Sequence, residues 1–141
     1  MIEVSAGLPA SFGILLWSVV LGLIHFTVVT IAARLSEKNL KWAAGPRDKA
    51  RPLTGVAARL DRSYRNFLET YPFFVVVMWL LPAAHIFSGT AIVAGWVYLA
   101  ARLIYIPAYA LGWALRPLFW GISLISLLTS LGVLIVTVLS K

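Results

Sequence analysis

The sequence contains no cysteine, which excludes disulfide bonds, thiolate metal sites and cysteine nucleophiles. It is also poor in charge, because only 12% of its 141 residues are Asp, Glu, Lys or Arg, against about 25% in soluble domains. Acidic residues are the scarcest, with five Asp and Glu against twelve Lys and Arg. The two histidines are far apart, and with the one carboxylate in an apolar span they lack the spacing of metal ligands, so we expect no metal site.

Apolar residues are abundant: they make up 61% of the chain and give it a mean hydropathy of +0.91. A soluble domain cannot bury so much apolar surface, whereas a lipid bilayer accepts it. A crossing helix needs about 20 apolar residues, so the long uncharged run 71–101 must hold most of two helices. We therefore predict one all-α membrane domain over residues 1–141, a four-transmembrane-helix bundle. Its helices are expected at about 11–35, 57–81, 90–114 and 117–139, with a cytoplasmic loop at about 36–56.

Positive charge is concentrated around the first connection between helices. Nine of the twelve basic residues lie in this connection or beside it: Arg34, Lys38, Lys41, Arg47, Lys49, Arg51, Arg59, Arg62 and Arg65. Arg116 lies at the third connection, and the second has no Lys or Arg. The positive-inside rule predicts that the first and third connections are cytoplasmic and that both termini are on the non-cytoplasmic side. Because topology explains the excess of positive charge, we expect no nucleic-acid partner.

One cluster of polar residues begins the second helix. At 100° per residue, its members fall within an arc of about 120°; they are Arg59, Arg62, Arg65, Asn66 and Glu69. Glu69 is the only acidic residue within an apolar span, so it must be paired, protonated or in contact with water.

A second cluster lies on the third helix, where Arg102, Tyr105 and Tyr109 have the spacing i, i+3 and i+7 of one helix face. An isolated guanidinium is hard to accommodate at mid-helix, so we predict an ion pair between Arg102 and Glu69. With Arg116 at the cytoplasmic end, these residues suit a small anionic, peptide-like ligand. Purely structural interpretations are also open: a helix-clamping ion pair, arginines that contact lipid headgroups, and tyrosines that only pack.

Two sequence motifs at these clusters resemble the MAPEG family, the membrane-associated proteins of eicosanoid and glutathione metabolism. The first is R-x-x-R-N-x-x-E-x-x-P-F, from Arg62 to Phe73. The second, V-Y-L-A-A-R-L-I-Y-I-P-A-Y from Val97 to Tyr109, resembles the third helix of leukotriene-forming synthases and microsomal glutathione transferases. The run G-P-R-D…R-P-L-T-G, from Gly45 to Gly55, is similar to the first loop of bacterial members. We therefore expect a multi-pass protein of a bacterial inner membrane.

The resemblance implies a homotrimer that binds glutathione, as co-substrate, at each subunit interface in the cytoplasmic half. The residues that would hold glutathione are Arg34, Arg62, Asn66, Glu69, Arg102, Tyr105 and Tyr109. The third-helix residues among them would come from the neighbouring subunit. Arg116 would be catalytic, because it corresponds to the arginine that activates the thiol.

The function that the resemblance implies is that of a glutathione-dependent transferase or peroxidase acting on lipophilic electrophiles. Its partners would be copies of itself, membrane lipids and a lipophilic small-molecule substrate. Thr70 departs from the aromatic residue of some synthases, and Pro107 can kink the third helix. Because some members of the family bind lipid and catalyse nothing, the resemblance also leaves open a non-catalytic lipid-binding or scaffold protein as the alternative. A small transporter is a third hypothesis, which is disfavoured because the chain has no room for the inverted repeats of common carriers.

Overall fold

The computed structural model describes residues 8–37, 45–46 and 52–140, most of which are helical. The helices are α1 (Ala10–Glu37), α2 (Gly55–Ala83), α3 (Gly89–Ala110) and α4 (Arg116–Leu139). Each is long and apolar enough to cross a membrane, which confirms the predicted all-α fold of four membrane-spanning helices. The five basic residues predicted within the first loop lie outside the described residues: Lys38, Lys41, Arg47, Lys49 and Arg51.

Helix α3 lies at the centre of the bundle, where it contacts α1, α2 and α4. Its most extensive contact is with α4, and small side chains explain how closely these two helices pack. Ser130 of α4, for example, is fully buried, and its hydroxyl lies 3.4 Å from the Ala91 carbonyl of α3 and 3.2 Å from the Ser126 carbonyl of its own helix. Helix α1 pairs with α2 instead, and within the described residues it makes no contact with α4.

Helices α1 and α2 both pack closely against α3 at Gly95. A methyl group added at this glycine would lie 2.9 Å from Ile14 Cδ1 and 3.1 Å from the sulfur of Met78. One turn further along α3, the ring of Tyr98 stacks on Phe74 of α2, with 3.8 Å between ring centroids. Lipid tails are as apolar as these side chains, so close packing and van der Waals contact are what hold the helices together.

Helix α3 ends at Ala110, earlier than the predicted end near residue 114. Gly112 adopts φ +73°, a left-handed conformation that glycine reaches without steric strain. The N–H of Trp113 then donates to the Ala108 carbonyl at 2.8 Å, and the N–H of Gly112 donates to the Tyr109 carbonyl at 3.1 Å. These two bonds form a Schellman motif. The turn that follows is short, so α4 begins at Arg116, close to the end of α3.

Two polar contacts connect α1 to α2 inside the bundle. Nε2 of His25 lies 2.8 Å from Oγ of Ser63, and Oγ of Ser18 lies 3.1 Å from the Tyr71 hydroxyl. Because the Ser63 hydroxyl donates to the Leu60 carbonyl, it accepts a hydrogen bond from His25. His25 is therefore a packing residue whose Nε2 has a hydrogen-bond partner. The outer surface of the bundle consists largely of large apolar side chains, which suit contact with lipid.

Candidate functional site

Arg102 of α3 is buried to 1% exposure and faces α2. Its Nη1 donates to Oδ1 of Asn66 at 2.8 Å, and its Nη2 donates to Oγ1 of Thr70 at 2.6 Å. The guanidinium carbon also lies 5.5 Å and 5.6 Å from the ring centroids of Tyr98 and Tyr105, within the range of a cation–π interaction. Arg102 and Asn66 thus meet within one chain. The contribution of the third-helix residues to the site of a neighbouring subunit stays a prediction.

The predicted ion pair between Glu69 and Arg102 is not formed. Glu69 is exposed on the protomer and accepts one hydrogen bond, from Nδ2 of Asn66 at 3.3 Å. The reason is the rotation of α2, which turns Asn66 and Thr70 towards α3 and Glu69 away from it. The buried cation is therefore surrounded by neutral acceptors and aromatic rings, and removing Glu69 would not orphan it.

The predicted polar face of α2 divides into two parts. Arg59 joins the side that faces α3, where its Nε donates to the Ala110 carbonyl at 2.8 Å. This bond caps the C-terminus of α3 with a positive charge, which interacts favourably with the negative end of the helix dipole. Arg62 is exposed, and Arg65 forms an ion pair with Asp61 at 3.0 Å with its side chain 74% exposed. The α3-facing residues thus support the fold, while Arg62 and Glu69 stay accessible.

The second predicted cluster forms as expected and extends to Arg116. Tyr105 and Tyr109 make an edge-to-face contact with 5.3 Å between ring centroids, and the Arg116 guanidinium lies 5.1 Å from the centre of the Tyr109 ring. A continuous series of contacts thus runs from Arg102 through both tyrosines to Arg116, with a cation at each end and two rings between them. Because Arg116 opens α4, its charge adds to the positive end of that helix's dipole. This end of the bundle therefore presents an electrostatic environment that favours an anion.

Arg34 is exposed in the last turn of α1. Within the described residues, no hydrogen bond or ion pair joins it to the other candidate residues. The described residues likewise show no hydrogen bond or ion pair between Arg62 and the cluster formed by Arg102, Tyr105, Tyr109 and Arg116. One protomer therefore brings Asn66 and Arg102 together with the two tyrosines and Arg116. The accessible Arg34 and Arg62 lie apart from this cluster.

Two members of the site were missed by sequence reasoning. Thr70 is absent from the predicted site, yet its Oγ1 accepts a hydrogen bond from Arg102. Tyr98 was not selected, although it stacks near the same guanidinium and its hydroxyl lies 3.3 Å from Oγ1 of Thr70. Helical spacing contained the signal, since Thr70 lies four residues after Asn66 and Tyr98 four residues before Arg102.

Comparison with known proteins identifies the architecture as that of a described family. The sequence model of the MAPEG family matches residues 14–136. The match covers the greater part of all four helices and every candidate residue from Arg34 to Arg116. Among curated protein sequences, none matches the chain significantly.

Proposed function

The chain belongs to the MAPEG family, which includes glutathione transferases and synthases, and on that premise we propose that it is a membrane-embedded, glutathione-dependent transferase or peroxidase of lipophilic electrophiles. The observation that carries the proposal is the contact of Arg116 with Tyr109 at the positive end of α4. A cation held beside a phenol at a helix N-terminus is suited to stabilising a thiolate.

The proposed catalytic role of Arg116 follows from thiol chemistry. A thiol has a pKa of about 8.5, so it is mostly protonated at neutral pH, whereas the thiolate is the nucleophile. The guanidinium of Arg116 stays charged and stabilises the anion by Coulomb attraction. Lowering the thiol pKa by two units requires only about 2.7 kcal/mol of differential stabilisation. One guanidinium at a helix N-terminus can supply stabilisation of this size.

We propose that glutathione is held by residues whose charges complement it. The exposed arginines Arg34 and Arg62 suit its carboxylates, and the exposed Glu69 suits its amine. Asn66 and Tyr109, which are half-buried, supply hydrogen-bonding groups, and Tyr105, which is buried in the protomer, packs against Tyr109. Arg102, which is buried, contributes through Asn66 rather than by direct contact.

We propose a homotrimer as the working form, because the protomer leaves Glu69 uncovered at mid-membrane. Thr70, the next residue, contacts Arg102 near the middle of α3, so Glu69 lies at that depth. A carboxylate facing lipid there is strongly unfavourable, and a neighbouring protomer would cover it. Family members are generally trimeric, and a shared site would bring Arg34 and Arg62 of one protomer towards Arg116 of another.

The trimer has a direct test. Native mass spectrometry from mild detergent is expected to give a trimer as the main species, and Glu69→Lys, which places a cation on the covered surface, is expected to weaken it. A wild-type protein that is monomeric over the whole detergent series would contradict the shared site.

The orientation proposed from loop charge puts the α1–α2 and α3–α4 connections in the cytoplasm of a bacterial inner membrane, with both termini on the other side. Reporter domains fused after Lys49 and after Ser88 are expected to report cytoplasm and periplasm respectively. The reverse pattern would move the site to the wrong compartment for glutathione.

The alternative function, lipid binding without catalysis, is favoured by one observation. A groove of about 330 Å³ between α1 and α3 is lined almost entirely by apolar side chains, with Trp17 and Trp96 among them. It would accept an acyl chain whether or not the protein catalyses a reaction.

A spectroscopic titration separates the two functions. Purified protein titrated with glutathione at neutral pH is expected to gain the ultraviolet absorbance of a bound thiolate, because Arg116 stabilises that anion. S-Methylglutathione, which has no thiol, is the matched control and is expected to bind without this signal. If glutathione binds and no thiolate absorbance appears, the lipid-binding or scaffold function becomes the better reading.

A further inference from the structure

The hydrogen bonds around Arg102 determine which way the carboxamide of Asn66 points. An arginine side chain carries donors only, so the Asn66 atom 2.8 Å from Nη1 must be the amide oxygen. The NH₂ group is consequently turned away from α3, and its nitrogen lies 3.3 Å from Oε2 of the exposed Glu69. A buried cation thus sets the orientation of a group that reaches the surface.

Thr70 holds the other arm of the guanidinium. Its Oγ1 accepts from Nη2 at 2.6 Å, one helical turn from Asn66, so the two side chains form a pair of acceptors for the planar fork. Within the described residues, Arg102 has no carboxylate partner, and its Nε has no hydrogen-bond partner. Asn66 and Thr70 therefore accept the two short hydrogen bonds, of 2.8 Å and 2.6 Å, that hold this buried charge against α2.

We propose that Arg102 and Thr70 are positioning residues that hold the Asn66 carboxamide with its oxygen inward and its NH₂ group outward. Asn66 and Glu69 then present an N–H donor and a carboxylate side by side, a pair that recognises an amino-acid group through its carboxyl or carbonyl oxygen and its ammonium. The part concerning the ligand rests on the proposed function and refines it: Arg102 acts through Asn66, and Thr70 joins the residues that determine affinity.

The orientation can be measured without any ligand. Asn39 and Asn66 are the two asparagines of the sequence, which has no glutamine, so ¹⁵N-asparagine labelling gives two side-chain NH₂ signals, and Asn39→Ser assigns them. Thr70→Val is expected to shift and broaden the Asn66 signal, and Glu69→Gln is expected to shift it. Thr137→Val is the matched control, because the Thr137 hydroxyl donates to the Val133 carbonyl of its own helix and, within the described residues, is remote from Arg102 and Asn66 in its hydrogen bonding.

The affinity for glutathione is the second measurement. Thr70→Val is expected to raise the Kd for glutathione about tenfold, because a misoriented Asn66 loses one charge-assisted hydrogen bond to the ligand. The turnover number is expected to change less than about twofold. Thr70→Ser is expected to restore the affinity because it restores the hydroxyl. A general loss of folding would lower kcat and the amount of active protein together. A raised Kd with nearly unchanged kcat therefore identifies a positioning role.

Asn66→Asp separates positioning from simple structural support. A carboxylate beside Arg102 is expected to raise the melting temperature, because it pairs with the buried cation. It also removes the NH₂ group and places like charges beside Glu69, so Kd is expected to rise at least about tenfold. Stability and affinity should therefore move in opposite directions.

Several results would overturn the inference. One is an NH₂ signal of Asn66 that responds neither to Thr70→Val nor to Glu69→Gln. Another is an Asn66→Asp protein that binds glutathione with the Kd of the wild-type protein. If the wild-type protein does not bind glutathione, the proposed function fails, and the NMR measurement still decides whether Arg102 and Thr70 orient Asn66.

Discussion

Arg116→Ala is expected to lower the turnover number about 100-fold, the effect of removing one group that stabilises a developing anion, while Kd for glutathione stays nearly unchanged. The proposed interaction of Arg116 with the glutathione sulfur would strengthen mainly as the thiol becomes a thiolate, so it would belong to the transition state more than to the bound thiol. The assay is conjugation of a generic aromatic electrophile, with binding measured separately for each variant. Arg116→Lys is expected to recover activity only in part, because an ammonium lacks the reach and the planar fork of a guanidinium.

Arg62→Ala is the complementary variant. A carboxylate of glutathione carries its charge throughout the reaction, so losing its partner should weaken binding first, by about 1.5–3 kcal/mol, and leave kcat nearly unchanged. Arg65→Ala is the control for loss of a cation from the same helix, because Arg65 is exposed and paired with Asp61 and such surface pairs contribute little.

The opposite outcome is equally informative. Full turnover in Arg116→Ala protein that folds and binds glutathione would mean that Arg116 has no catalytic role. The contact of Arg116 with Tyr109 would then be structural, and lipid binding without catalysis would explain the protein better.

Gly95→Val is expected to lower the free energy of unfolding by about 2–3 kcal/mol, a typical cost of overpacking a close contact. A β-carbon at this position would already lie 2.9 Å from Ile14 Cδ1 and 3.1 Å from the sulfur of Met78, and valine adds two more methyl groups. These neighbours are the side chains of Ile14 on α1 and Met78 on α2, so both side chains would have to move from their packed positions. Reversible unfolding in mixed micelles measures the effect.

Gly132→Val is the matched control for the glycine substitution. Gly132 is also helical, and a β-carbon built there meets nothing within 4 Å, so its replacement is expected to be nearly neutral. Equal destabilisation by the two variants would mean that loss of glycine itself, and not crowding at the meeting point of three helices, is responsible. The close approach at Gly95 would then have no energetic importance.

The membrane class and the four helices could be predicted because they depend on local composition. An uncharged run of about 20 residues is enough to cross a bilayer whatever it packs against. The grouping of Tyr105 and Tyr109 on one face of α3 was predictable for the same reason, since their spacing determines it. The end of α3 was predicted too late, because an apolar sequence continues past Ala110 and only Gly112 signals the turn.

The sequence alone determined which residues share a helix face, but only the tertiary structure decided which of them meet. Glu69 and Thr70 are adjacent in the chain, and either could have faced Arg102. Adjacent residues point about 100° apart on a helix, so the rotation of α2 against α3 selected Thr70 and left Glu69 exposed. That rotation is set by packing along the whole interface, including the stack of Phe74 on Tyr98. No single motif encodes it, and for that reason charge complementarity predicted the wrong partner.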